Sequence, residues 1–305
     1  MIRMDGRFNR RSKPMDVISD PVFGDFGRLL LPVHRGSYSG TTLESLRLMW
    51  YGALDPEMTV DIVNTLKEQA AAGHQIFYRI YSEEKPTHVI VAFDVHEPTF
   101  RHKIYADYKG TRHGMDDELR EQFPVIKSLL SIMKVTYVEM GGFEADDIIG
   151  TYSRLADKEG MEVSILSGDR DLLQLATETI LVRIPKTQGG ETQILNYHAV
   201  DVVKEYGVTP LEFIEMKGLM GDTSDNIPGI QGIGPKTASN IIKKYHSIEA
   251  ALDDIDNIKP DKARKNLDEN RELAIFSREL ATIKLDVELS VPVDDTKLDE
   301  ADISS

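Results

Sequence analysis

Cysteine is absent from the 305 residues. That excludes disulfides, thiolate metal sites and cysteine nucleophiles, and it fits a reducing, cytoplasmic setting. Long apolar runs are missing too: none approaches the roughly 18 residues that cross a bilayer, so no membrane partner is expected. The stretch from Met1 to Pro14 is polar and basic with no apolar segment behind it, and does not read as a secretory signal. Basic charge is scarce, with 36 Lys and Arg against 51 Asp and Glu and a net charge of −15. A uniform excess of that sign opposes a nucleic-acid partner, because phosphate binding leaves a basic footprint. The charges are not uniform, however. Bases gather from Arg101 to Arg112 and from Lys236 to Lys244, while the acids fall in short groups that divalent cations can neutralise. The local field, not the total, decides what a site binds.

Hydrophobic residues make up 41% of the chain, enough for an ordinary core. Residues 1–27 read as a weakly ordered leader. Leu29–Leu31 forms a short strand limited by Pro32, and 41–51 and 57–82 are compatible with helices. From His88 the pattern sharpens. His88–Phe93, Val135–Glu139 and Glu162–Leu166 are apolar, β-branched runs that suit buried parallel strands. Helical segments at Met115–Met133 and Glu144–Glu159 lie between them. The alternation predicts an α/β fold with a parallel, doubly wound sheet. Ile180–Ile184 and Gln193–Asn196, around Gln188–Gly189–Gly190, predict an edge hairpin. Beyond Thr209 the chain reads as all helix: Pro210–Met220, Pro235–Tyr245 and a longer stretch over 261–283, followed by an acidic tail at 291–305. The division expected is an atypical segment over 1–83, foreign or partly disordered, an α/β region over 84–205, a helical region over 206–290, and the tail.

Acids collect at the ends of these elements. Asp94 follows the strand His88–Phe93, and Asp169 and Asp171 follow the strand that ends at Leu166. In open α/β sheets ligands bind beyond the carboxyl ends of the strands, so these three face one crevice. Glu144 and Asp147 share a face at a helix start, beside Asp146. Asp222 and Asp225 repeat the spacing in a later turn. Like charges this close persist at neutral pH only with a cation or strong hydrogen bonds. Oxygen ligands without His or Cys select Mg²⁺ or Mn²⁺ over Zn²⁺. Two such ions about 4 Å apart activate a water and stabilise a leaving oxygen in phosphodiester hydrolysis. The plain alternative for any single acid is a helix cap or turn; clustering at three separate element ends weakens it for the set.

Gly229–Ile230–Gln231–Gly232–Ile233–Gly234–Pro235–Lys236–Thr237 sits between two helices. Glycines admit close backbone approach, Pro235 suits a first helical position, and free N–H groups at that start hold a phosphate beside Lys236. Such a helix–hairpin–helix grips one DNA strand without reading bases. Arg101, His102, Lys103 and Tyr108 mix cations with aromatics, a pairing suited to phosphates and stacked bases.

Together Ala92–Phe93–Asp94, Phe100–Arg101–His102, Tyr108–Lys109–Gly110–Thr111–Arg112, Glu144–Ala145–Asp146–Asp147, Ser167–Gly168–Asp169–Arg170–Asp171 and Gly221–Asp222–Thr223–Ser224–Asp225–Asn226–Ile227–Pro228–Gly229 resemble the 5′–3′ exonuclease domain of bacterial DNA polymerase I and the related bacteriophage flap endonucleases. The resemblance runs from about 84 to 300. It implies a PIN-like nuclease domain followed by an all-α helix–hairpin–helix region. It also implies two ions, Mg²⁺ or Mn²⁺, one nearer Asp94, Glu144, Asp146 and Asp147, the other nearer Asp169, Asp171, Asp222 and Asp225. Lys109 and Arg112 would steer the scissile phosphate, residues near 101–120 would arch over a 5′ end, and the glycine hairpin would hold duplex DNA, with K⁺ bound there. The substrate implied is DNA with a 5′ flap or 5′ end, including an RNA primer, acted on by a monomer. The family opens with an apolar strand ending in Asp-Gly. Here the comparable strand is read at Leu29–Gly36, which carries no acid, and Asp5–Gly6 has the dipeptide without a recognisable strand before it. On that reading a ninth carboxylate is missing, and a catalytically impaired DNA-binding fragment stands as the alternative.

Overall fold

The structure, a computed structural model, describes residues 2–4, 80–81, 83–112, 120, 122–188 and 191–298. A sheet of six strands forms its centre, in the order β3-β2-β1-β4-β5-β6. The strands are β1 (Ile2–Met4), β2 (Ile90–Phe93), β3 (Thr136–Glu139), β4 (Val163–Leu166), β5 (Ile180–Gln188) and β6 (Glu191–Tyr197). All neighbours are parallel except β5 and β6, which pair antiparallel. Every residue of β2 is buried, as expected of a strand covered on both faces.

The central strand corrects the sequence reading. The leading strand lies at Ile2–Met4, directly before Asp5, with Ile2 level with Val91 on one side and Leu166 on the other. Three residues show no usable period, so the pattern gave no signal there. Asp5 itself, the strand read at Leu29–Gly36, the helix at 41–51 and all of the helix at 57–82 except residues 80–81 lie outside the described residues. The chain passes from β1 outward to β2 and β3, then returns to the far side of β1 for β4. That reversal marks a topological switch point, where a ligand crevice opens at the carboxyl ends of the strands.

The helices are α1 (Phe100–Ile104), α2 (Gln122–Ile132), α3 (Ala145–Lys158), α4 (Ala199–Tyr206), α5 (Pro210–Met220), α6 (Pro235–Tyr245), α7 (Ile248–Asp253), α8 (Asp261–Glu269) and α9 (Arg271–Ala281). The stretch 261–283 is thus two helices broken at Asn270, whose φ and ψ of −130° and 38° leave the helical region. Helix α5 starts at a reciprocal cap: the Glu212 amide donates to the Thr209 hydroxyl at 3.2 Å, and the Thr209 amide donates to the Glu212 carboxylate at 2.7 Å. Such a cap contributes about 1 kcal/mol. One core runs from α3 and the sheet through Phe213, Leu219, Ile242 and Leu267 without a break.

Residues 291–298 are not a free tail. Val293 and Thr296 are buried, Lys297 bridges His88, and the Leu298 amide donates to the Thr87 carbonyl at 2.9 Å. Val293 joins the core around Ile90 and Ala92, and Leu298 joins the cluster around Val91 and Phe93. Among the described residues no helix is long and apolar enough to cross a membrane.

Candidate active site

Four segments meet at the carboxyl ends of the strands. Asp94 leaves β2 and accepts the Ala145 amide at 2.8 Å, which ties it to the start of α3. Glu144 caps that helix, and Asp146 and Asp147 lie buried in its first turn, where the helix dipole favours negative charge. Asp169 leaves β4 and accepts the Asp171 amide at 2.9 Å, which folds 170–175 into a 3-10 turn. Asp222 and Asp225 come from a loop after α5. Asp222 and Ile227 exchange backbone hydrogen bonds of 3.0 and 2.8 Å, closing that loop. Gly221 and Gly229 stand at its neck with φ of +69° and +59°. A Cβ on Gly229 would lie 2.2 Å from the Gly221 nitrogen, so both positions need glycine.

Cations stitch the acids together. Lys109 pairs with Glu144 and stands 3.8 Å from Asp225. Arg112 pairs with Asp225. Lys109 has φ of +55°, and its amide donates to the Asp225 carbonyl at 2.8 Å, so the turn that carries it is pinned to the acidic loop. Lys217, not singled out in the sequence, sits between Asp171 and Asp222 at 2.6 and 2.5 Å. The signal was a lysine inside the apolar run of α5 (Phe213–Met220), five residues before Asp222. Burial pushes the Asp171 carboxyl up to about 6, with Asp169 and Asp222 adding to the rise and Lys217 opposing it. Burial also acts against the charge of Asp222, yet Lys217 and Ser224 bring that carboxyl down to about 2.

Three residues stand elsewhere than expected. Arg101 and Tyr108, read as DNA contacts, are buried. The Tyr108 hydroxyl stands 3.1 Å from Glu144 and 3.2 Å from Asp225, so its one proton is shared between the two carboxylates, and burial beside these acids drives its phenol well above the usual range. Arg101 grips Asp147 through two bonds of 2.8 and 2.9 Å. Burial works against its charge, but Asp147 more than offsets this. Asp147 also accepts the Glu144 and Lys284 amides, at 3.0 and 2.9 Å. Its two oxygens therefore take four N–H groups, the full acceptor capacity of a carboxylate. His102 is half-buried against the Tyr108 ring, and Lys103 is exposed.

The glycine hairpin is tied to the end of α5, where the Ile230 amide donates to the Leu219 carbonyl at 2.8 Å. Ile230 and Ile233 anchor it in the core, while Gly232, Gly234 and Lys236 are exposed and Thr237 is half-buried. Gly232 has φ of +82°; Gly234 is the extended residue that opens α6. The Gln231 carbonyl is held by Asn266 of α8 at 2.6 Å.

Among the described residues no three of these acids converge into a ready cation cage. The lysines and Arg112 explain this, since each holds a carboxylate that would otherwise repel its neighbours. The donor set is nonetheless all carboxylate oxygen, which fits a hard divalent cation and not a soft one. A cavity of about 710 Å³ opens at the opposite ends of the strands beside His88, Arg183 and His198, and holds none of these clustered acids.

Two family models match the chain: the 5′–3′ exonuclease N-terminal resolvase-like domain over residues 50–207, and the 5′–3′ exonuclease C-terminal SAM fold over 208–304. The match therefore begins earlier than the motifs, which reach back only to about 84. DNA polymerase I of Bacillus caldotenax is 45% identical over 217 residues, covering 71% of this chain and 24% of that protein. DNA polymerase I of Streptococcus pneumoniae is 39% identical over 241 residues, covering 79% and 27%. The chain thus spans about a quarter of the length of these relatives. Among solved structures, zinc-bound T5 5′-exonuclease superposes with a TM-score of 0.57 at 22% identity, covering 79% of this chain and 86% of that one. A variant bacteriophage T5 D15 flap endonuclease, a pseudo-enzyme–product complex with DNA and metal ions, gives 0.56 at 26%, covering 72% and 80%. With its sheet order, its acidic crevice and both models matched in sequence, the chain belongs to the 5′–3′ exonuclease family.

Proposed function

We propose that the protein is a divalent-metal-dependent nuclease that hydrolyses DNA at 5′ ends and 5′ flaps, RNA primers included, with Mg²⁺ or Mn²⁺ as the working ion. The observation that carries this reading is the gathering of carboxylates from four segments into one crevice, with Lys109 and Arg112 beside them. Asp94, Glu144, Asp146 and Asp225 would hold one ion, and Asp169, Asp171 and Asp222 a second. Asp5 follows β1 in the chain as Asp94 follows β2, and we assign it the ninth carboxylate. That assignment removes the main support for an impaired, purely DNA-binding fragment.

An ion bound there supplies a Lewis acid and lowers the pKa of a bound water. The chain's own residues do the rest. Lys109 and Arg112 offer charge-assisted donors to non-bridging phosphate oxygens. Tyr108 holds Glu144 and Asp225 apart at fixed spacing from its single hydroxyl. The hairpin amides and Lys236 hold the backbone of the duplex, with K⁺ as a further ligand of the hairpin. The helical region over 206–290 then anchors duplex while the α/β region over 84–205 cuts.

The deciding experiment is cleavage of a labelled 5′-flap DNA in Mn²⁺ and Mg²⁺, with Asp171→Asn and Asp5→Asn beside the wild type. Cleavage by wild type and its loss in both variants supports the assignment. An inactive wild type that binds the flap sinks the nuclease reading.

A further inference from the structure

Helix α9 ends at Ala281, and the five residues around that end are gripped one after another by side chains of α1 and of two carboxylate-bearing segments. Arg101 donates to the Leu280 carbonyl at 2.9 Å and to the Thr282 carbonyl at 2.7 Å. Gln174, in the turn of Asp171, donates to the Ala281 carbonyl at 3.1 Å and accepts the Ile283 amide at 2.9 Å. The same Gln174 nitrogen donates to the Asp171 carbonyl at 2.9 Å. Asp147 accepts the Lys284 amide at 2.9 Å and holds Arg101 in place. Arg101, Asp147 and Gln174 are all buried. Networks satisfied in this way away from water are rigid and tolerate no loose member.

The same helix holds the hairpin. The Gly229 amide, at the hairpin's entrance, donates to the fully buried Ser277 hydroxyl at 3.1 Å. Ser277 and Leu280 are less than one helical turn apart, about 5 Å along the axis. One turn of α9 is therefore tied to the DNA-holding hairpin on one side, and to α1 and two carboxylate segments on the other.

We infer that this turn and its exit act as a gauge. It sets the distance between duplex held at the hairpin and the acids of the crevice, and so selects which phosphodiester is cut. Asp147, Arg101 and Gln174 are positioning residues in it, and Asp147 is not a metal ligand, because its acceptor capacity is consumed. The gauge rests on the nuclease reading above.

The test uses the full chain as wild type, Gln174→Met, Asp147→Asn and Asp171→Asn. Three quantities are measured: amide exchange at Ile283 and Lys284, Mn²⁺ binding by calorimetry without DNA, and the positions and steady-state rates of cleavage of a 5′-flap DNA. Gln174→Met keeps the side-chain volume, and carries the test should Asp147→Asn fail to fold. Exchange at Ile283 should quicken about fivefold or more in Gln174→Met, and at Lys284 in Asp147→Asn. Both should spread cleavage to neighbouring phosphodiesters and lower kcat while KM stays. Asp171→Asn should weaken Mn²⁺ about 100-fold, and the two positioning variants less than about 10-fold. Cutting at the wild-type position with wild-type kcat, despite faster exchange, overturns the gauge. Loss of Mn²⁺ affinity in Asp147→Asn equal to that in Asp171→Asn overturns the place given to Asp147. A wild type that neither binds Mn²⁺ nor cleaves overturns the nuclease reading and the gauge with it, whereas failure of the gauge alone appears only in the variants.

Discussion

The ammonium group of Lys217 lies 2.6 Å from Asp171 while reaching equally closely to Asp222, so one buried cation joins the acid loop after β4 to the loop after α5. Replacing it with an uncharged chain of similar length leaves two buried carboxylates facing each other. Lys217→Met should therefore lower stability by about 2–4 kcal/mol in the absence of divalent ions. Millimolar Mn²⁺ should recover most of that loss. Thermal unfolding with and without Mn²⁺ measures both quantities, and an equal loss in the two conditions would refute the role given to Lys217.

The raised Asp171 carboxyl, at about 6, has a signed consequence. A carboxyl whose folded value lies above its unfolded one binds its proton more tightly when folded. Its contribution to stability is complete below about pH 4 and is lost as pH rises through 6. A divalent ion favours the ionised form and must expel that proton. Calorimetric titration of Mn²⁺ at pH 5.5 in buffers of different ionisation enthalpy should show proton release that disappears by pH 8. The release should be absent in Asp171→Asn.

Arg101 and Asp147 are both out of water, so removing one partner strands the other. Arg101→Met should cost about 3–5 kcal/mol in urea unfolding, and Arg101→Met with Asp147→Leu should recover much of it. Additive losses in the double variant would mean that the two residues act separately.

Gly229 has φ of +59° and faces the Gly221 backbone at a distance no Cβ can occupy. Gly229→Ala should destabilise by more than the roughly 1 kcal/mol of an ordinary glycine exchange. The added loss falls on the loop of Asp222 and Asp225, so Mn²⁺ affinity should drop along with the unfolding temperature.

Lys236 is exposed at the start of α6 and makes no ion pair among the described residues. Lys236→Ala should weaken flap binding at all sequences alike and reduce the salt slope of log Kd by about 1. Fluorescence anisotropy over a salt series checks this, and an unchanged slope would remove Lys236 from the phosphate contacts.

The carboxylates after β2 and β4 were readable because apolar, β-branched runs announce buried strands and the acids follow at once. The closed loop of Asp222 and Asp225 was readable through its flanking glycines. The four N–H donors on Asp147 were not, because a motif gives a position in the chain and says nothing about which lone pairs are already taken. Arg101 and Tyr108 looked like surface cations and aromatics for the same reason; their partners lie at Leu280, Asp147, Glu144 and Asp225, remote in sequence. Lys217 carried a faint sign, a charge inside an apolar helix face. β1 carried none, since three residues cannot display a period.

The position of β1 bears on how the protein comes to be folded at all. Residues 2–4 lie between β2 and β4, and their partners Val91 and Leu166 are distant along the chain. Contacts of that separation form slowly, since a long loop must close before any pairing compensates for it. During synthesis β2 and β3 can pair early, whereas the centre of the sheet must wait for Leu166 to emerge. The crevice that opens at the β1–β4 junction is consequently among the last parts to be completed, and a nascent chain stopped before β4 holds its acids in an unfinished sheet.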